Sequence, residues 1–84
     1  MTPMSKAILD NFPDEGWTMY FVFTEIPEVR ASVEYLSENA LRNLVIGSLE
    51  YLVREGYAEE GWDGQRRVWR RATRTKNAQV GGSA

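Results

Sequence analysis

The sequence predicts an α+β fold: three helices and a small three-stranded antiparallel sheet, in the order helix, strand, helix, helix, strand, strand. Three observations carry the prediction. Residues 39–55 place Leu41, Leu44, Val45, Ser48, Leu49 and Leu52 on one side of a helical wheel, and Gly56 follows where a left-handed residue ends a helix. Two short runs, Tyr57–Trp62 and Gln65–Ala72, then flank Asp63-Gly64, a favoured two-residue hairpin turn. Finally, Trp17-Thr-Met-Tyr-Phe-Val-Phe23 is the densest run of aromatic and β-branched residues in the chain, as strands prefer.

Taken in order, Ser5 to Asn11 reads as a first helix, with Ser5 as N-cap and Ala7, Ile8 and Phe12 as its apolar face. Pro13-Asp-Glu-Gly16 is a loop by composition. The run 17–23 is read as a strand that joins the hairpin. A rival reading makes it a helix, because Met19, Val22, Phe23 and Ile26 also fit the i, i+3, i+4, i+7 pattern, with Thr18 as cap. Pro27 suits a first helical turn, so 27–36 is read as the second helix. Val29, Val33 and Leu36 would face inward, and Arg30 would pair with Glu34. Ser37-Glu-Asn39 is the turn into the third helix, with Ser37 or Asn39 as its cap. A type I′ turn over Asp63-Gly64 would set Trp62 opposite Gln65, Glu60 opposite Arg67 and Ala58 opposite Trp69. Trp69 would then pack inward. Residues 1–76 are read as one domain and the Gly/Ser-rich 77–84 as a disordered tail.

Composition narrows the chemistry. The 84 residues include no Cys and no His. Disulfides, thiolate metal sites, His ligands and His-dependent triads are therefore excluded, and neither a cofactor nor catalysis is expected. Glu59 and Glu60 are adjacent on a strand, so they point to opposite faces and cannot converge on one substrate atom. No apolar run reaches the roughly 20 residues of a membrane helix. With no signal-peptide pattern at the N-terminus, a cytoplasmic protein is expected.

Charge is distributed unevenly. The formal net charge is −2. Residues 1–36 hold two basic and six acidic side chains, 37–56 two and three, and 57–84 six and three. The C-terminal third is therefore positive, and local potential is what a phosphate meets. Arg66, Arg67, Arg70 and Arg71 lie on the returning strand, with Arg74 and Lys76 beyond it. Cross-strand pairing with Glu59, Glu60 and Asp63 is the competing reading of these arginines.

Over residues 37–72, Leu-x-x-Leu-x-x-x-Gly-Tyr, an acidic strand, Trp-Asp-Gly and Arg-Arg-Val-Trp-Arg follow one another. This pattern resembles the winged helix-turn-helix family, in particular repressors of the multiple-antibiotic-resistance and PadR types. The resemblance implies a DNA-binding transcription regulator, often a homodimeric repressor, with double-stranded DNA as partner. It implies a recognition helix at about 39–55 and an arginine-rich wing at 57–72. Asn39, Asn43 and Ile46 lie on the helix face opposite the core, with Arg42 at its edge. Arg can pair with guanine, Asn with adenine, and Ile can meet a thymine methyl. Gly47 on that face would permit close backbone approach. Arg66, Arg67, Arg70, Arg71 and Arg74 are the candidate phosphate contacts. The alternative expectation is a protein-interaction module on the same scaffold, favoured by the acidic N-terminal half. The three Trp, four Tyr and three Phe are more than so small a core easily buries. A leftover apolar surface would suit a second copy of the chain.

Overall fold

The computed structural model describes residues 1–72 and is a small α+β structure of helices and a two-stranded antiparallel sheet. The elements are α1 (Pro3–Asp10), α2 (Tyr20–Thr24), α3 (Pro27–Ser32), α4 (Glu38–Arg54), β1 (Ala58–Asp63) and β2 (Arg66–Arg71). The expected domain boundary at 76, the tail 77–84, and Arg74 and Lys76 lie outside the described residues. Among the described residues no helix is long and apolar enough to cross a membrane.

Among the described residues four helices and two strands replace the expected three and three, and the run 17–24 accounts for the change. Only Thr18 pairs with the sheet. Its N–H donates to the Trp69 carbonyl at 2.7 Å, and its carbonyl accepts from Trp69 N–H at 2.8 Å. The chain then turns into α2. A strand would have sent alternate side chains to two faces, but a core lies on only one. As a helix the segment packs on α4. Phe23 becomes fully buried, its ring 4.7 Å from that of Phe12. High β-propensity is a preference for a pleated neighbour, and here the neighbour is a helix. Met19, not Thr18, occupies the N-cap position, and Val22 stays 42% exposed.

Capping sets the other helix starts. Thr2, three residues before the expected cap Ser5, opens α1: its Oγ1 accepts from Ser5 N–H at 3.1 Å, with Pro3 in the first turn. Ser5 lies buried within the helix. The second expected helix stops at Ser32, short of 36, where Val33 leaves helical geometry. Arg30 does not pair with Glu34. It reaches Glu25 at 3.0 Å and Glu38 at 2.9 Å, tying α3 to the start of α4. Ser37 caps α4, accepting from Ala40 N–H at 3.2 Å.

Down α4 the buried seam is Leu41, Val45, Leu49 and Leu52. Leu44, expected in the core, is 43% exposed, because the seam follows α1 and α2 and Leu44 falls to one side of it. The helix ends as expected. Gly56 adopts φ +87°, Gly56 N–H bonds Val53 O, and Tyr57 N–H bonds Leu52 O, the paired closure of a glycine-terminated helix. This closure aims the chain directly into β1.

The hairpin turn is displaced by one residue from expectation. The observed register sets Asp63 opposite Arg66, Trp62 opposite Arg67, Glu60 opposite Trp69 and Ala58 opposite Arg71. Gly64 and Gln65 are the central residues, and only Gly64 has positive φ, at +66°. Glycine at the first central position is the requirement of a type II′ turn, so Asp63 stays extended in β1. The face alternation survives the shift. Ala58 and Trp69 join the helical core, and Trp69 is the largest side chain that is fully buried.

Candidate functional site

A groove of about 540 Å³ opens between α4 and the hairpin. Arg42 and Ile46 of α4 form one wall. Trp62, Gln65, Arg66, Arg67 and Trp69 form the other, and Met19, Tyr20 and Phe21 close the end. Helix closure at Gly56 and the turn at Gly64 produce this arrangement, since together they fold the ribbon back beside the first half of α4. Four residues singled out from the sequence, Arg42, Ile46, Arg66 and Arg67, therefore meet in one place. Asn39 borders an adjoining hollow with Arg42 and Tyr20. Asn43 lies round the helix, beside Leu44 and Gly47, above the start of α1.

The arginines of β2 divide by partner. Arg67 donates to Glu60 at 2.6 Å and to Glu50 of α4 at 2.9 Å, and its guanidinium lies 5.1 Å from the Trp69 ring. The hydrogen bond to Glu60 chiefly, and that to Glu50, raise its pKa further above the ordinary arginine value, while partial burial opposes them. Arg67 thus braces the hairpin against α4, and its charge is cancelled locally. Arg70, on the opposite face, bonds Glu59 at 2.7 Å and stacks 4.5 Å from the Trp17 ring. These two pairs follow the cross-strand reading of the arginines.

Arg71 has a different role. Its Nη2 donates to the carbonyls of Leu9 and Phe12 at 2.9 and 3.0 Å. A cation is thereby placed at the C-terminal end of α1, where the helix dipole favours it. Nothing in the sequence marks this arginine as different from its neighbours, because the carbonyls it reaches are about sixty residues away.

Arg42 and Arg66 remain. Both are exposed, and among the described residues neither has a carboxylate in ion-pair range. Arg42 lies 5.4 Å from the Tyr20 ring, and both side chains line the groove. Arg66 flanks the turn beside Gln65. Sequence reasoning missed Gln65 and Tyr20 as members of the site. In the sequence Gln65 reads as the start of a strand, and Tyr20 as part of a strand that does not form.

Set beside protein-family models, curated proteins and solved structures, the chain finds no match in any of the three.

Proposed function

We propose that this chain is a winged helix-turn-helix protein that binds double-stranded DNA and regulates transcription. In this reading α3, the turn 33–37 and α4 are the helix-turn-helix, β1 and β2 are the wing, and the Thr18 bridge is a remnant of the first strand. One observation carries the proposal. The groove-lining Arg42 and Ile46 of α4 and the residues Gln65 and Arg66 of the hairpin turn open on one surface, as a helix in the major groove beside a wing would require. The contacting set is Asn39, Arg42, Asn43 and Ile46 with Gln65 and Arg66. Arg67, Arg70 and Arg71 are assigned to holding the domain together. The simplest regulatory consequence of such binding is occlusion of a promoter, which is repression.

The charge available sets the strength. With two exposed cations contacting phosphates, log K should fall with log salt at a slope of roughly −1.8, against roughly −3.6 if four took part. Fluorescence anisotropy on a generic duplex across a salt series measures it. Arg66→Ala should make the slope shallower by about 0.9 and weaken all duplexes alike. Arg42→Ala should weaken preferred sites by about 1–3 kcal/mol more than random ones. No binding at about 20 mM salt, or unchanged binding when Arg42→Ala and Arg66→Ala are combined, overturns the proposal. The protein-interaction reading then takes its place, with the exposed carboxylates Asp10, Asp14, Glu15, Glu28 and Glu34 of the α1–α3 side as its surface.

A further inference from the structure

The groove between α4 and the hairpin carries aromatic surface for which an intact duplex has no matching partner. Of the three tryptophans, Trp69 is buried and covered by the Arg67 guanidinium, and Trp17 packs over Gly61 with Arg70 stacked on its ring. Trp62 is different. It stands opposite Arg67 in the hairpin register, yet the Arg67 guanidinium is drawn to Glu60, Glu50 and the Trp69 ring. Trp62 is left 67% exposed on the groove wall, and among the described residues no guanidinium or second ring covers it. Phe21, 49% exposed, and half-buried Tyr20 close the end of the same groove, their rings 6.1 Å apart and nearly perpendicular. Arg42, Arg66 and Gln65 also line it, and no carboxylate does. A lone exposed apolar residue is ordinary, whereas exposed rings beside unpaired cations mark a contact surface.

We infer that this groove takes DNA through an unpaired base, which stacks on Trp62 while Arg42 and Arg66 hold the flanking phosphates. Such binding rests on the reading of this groove as a DNA surface and narrows it to DNA with a base out of its stack. Three features select this occupant. The first is the ring face. In a duplex each base is covered by its neighbours in the stack, so side chains reach only base edges and the backbone. A base without a partner offers its face to an aromatic side chain, and that contact is sequence-tolerant because every base has one. The second is charge. Arg42 and Arg66 have no carboxylate in ion-pair range among the described residues, and they share a groove with the exposed rings. Backbone cations beside a stacking platform are what single strands require. Each nucleotide carries a ring and a phosphate together, whereas a protein segment would have to assemble the two from separate side chains. The third is size and polarity. A groove of about 540 Å³ is in the range that encloses whole small molecules, so one extruded nucleoside fits. Gln65 adds an amide with both donors and an acceptor, the groups that pair with the edge of an extruded base.

Fluorescence anisotropy of the full chain with three labelled DNAs tests this: an intact duplex, the same duplex with one central unpaired base, and one of its strands alone. The bulged duplex should bind about tenfold tighter than the intact one, the scale of a single base–aromatic stack. Trp62→Ala should bring that ratio close to one, and Trp62→Phe, which keeps a ring, should retain most of it. Trp62 is exposed, so far-UV circular dichroism should be unchanged in both variants. Leu44→Ala, which lies outside the groove, should keep the parent's ratio. Equal affinity of the parent for the intact and bulged duplexes overturns the inference and leaves duplex binding standing. A preference that survives Trp62→Ala also overturns it, since easier bending of the bulged duplex would then be the source. Binding of the bulged duplex and the single strand with none of the intact duplex supports the inference and overturns the duplex reading. Binding of none of the three overturns both and leaves the groove to a protein partner.

Discussion

Replacing Arg71 by Ala separates structural arginines from those proposed to contact DNA most sharply. The side chain gives two hydrogen bonds from one charged nitrogen, to Leu9 O at 2.9 Å and Phe12 O at 3.0 Å, and lies 6.0 Å from the Phe12 ring. Hydrogen bonds from charged donors contribute about 1.5–3 kcal/mol each when partly buried, and the ring contact adds about 0.5. The two bonds share one nitrogen and are not independent, so the expected loss is about 3 kcal/mol. For a domain of this length that corresponds to a fall in Tm of roughly 12–24 °C. Arg71→Lys should recover about half, because the charge at the helix end is kept but the shorter, more flexible stem must be ordered to bring its ammonium to both carbonyls. Urea unfolding followed by tryptophan fluorescence measures the effect, with the midpoint moving and the m-value unchanged. On the proposed function, Arg71→Ala should bind duplex DNA as the parent is proposed to, at temperatures where the variant remains folded. A stability change below about 1 kcal/mol would refute the assignment of Arg71 to the α1 carbonyls, as would lost DNA binding at unchanged stability.

Two further outcomes are expected. Gly47 lies in the middle of α4, and a Cβ there would meet no atom within 4 Å. Gly47→Ala should therefore raise stability by about 1 kcal/mol through helix propensity alone. If α4 lies in the major groove with this face inward, the same change should also weaken DNA binding; a lower Tm would contradict the open space. The Arg30 guanidinium holds the Glu38 carboxyl below its ordinary value, chiefly through their hydrogen bond. A carboxylate depressed in the folded state stabilises above its unfolded pKa of about 4.3, and that contribution is lost as pH falls through the folded value. The Tm difference between the parent and Glu38→Gln should accordingly be present at neutral pH and close in acid. A difference constant from pH 3 to pH 7 would show that the pair does not titrate as described.

Where the chain order and the local chemistry agree, the residues alone dictate the outcome. They set the fold class and the long helix with its seam of Leu41, Val45, Leu49 and Leu52. They also set the stop at Gly56, the hairpin, and the inward Trp69. Each of these follows from periodicity, from a residue that alone tolerates positive φ, or from strand alternation, and none needs a distant partner. Packing between elements distant in the chain governs the rest. The run 17–24 carries strand propensity, but it becomes one bridge and a helix because α4 covers a single side of it. The turn moved one residue because Asp63 can stay paired with Arg66 while Gly64 alone takes the left-handed conformation. In sequence the β2 arginines look equivalent. Arg67 meets Glu50, Arg71 meets the end of α1, and Arg66 meets no carboxylate among the described residues, because pairing depends on which elements pack beside each position, and composition carries no record of that.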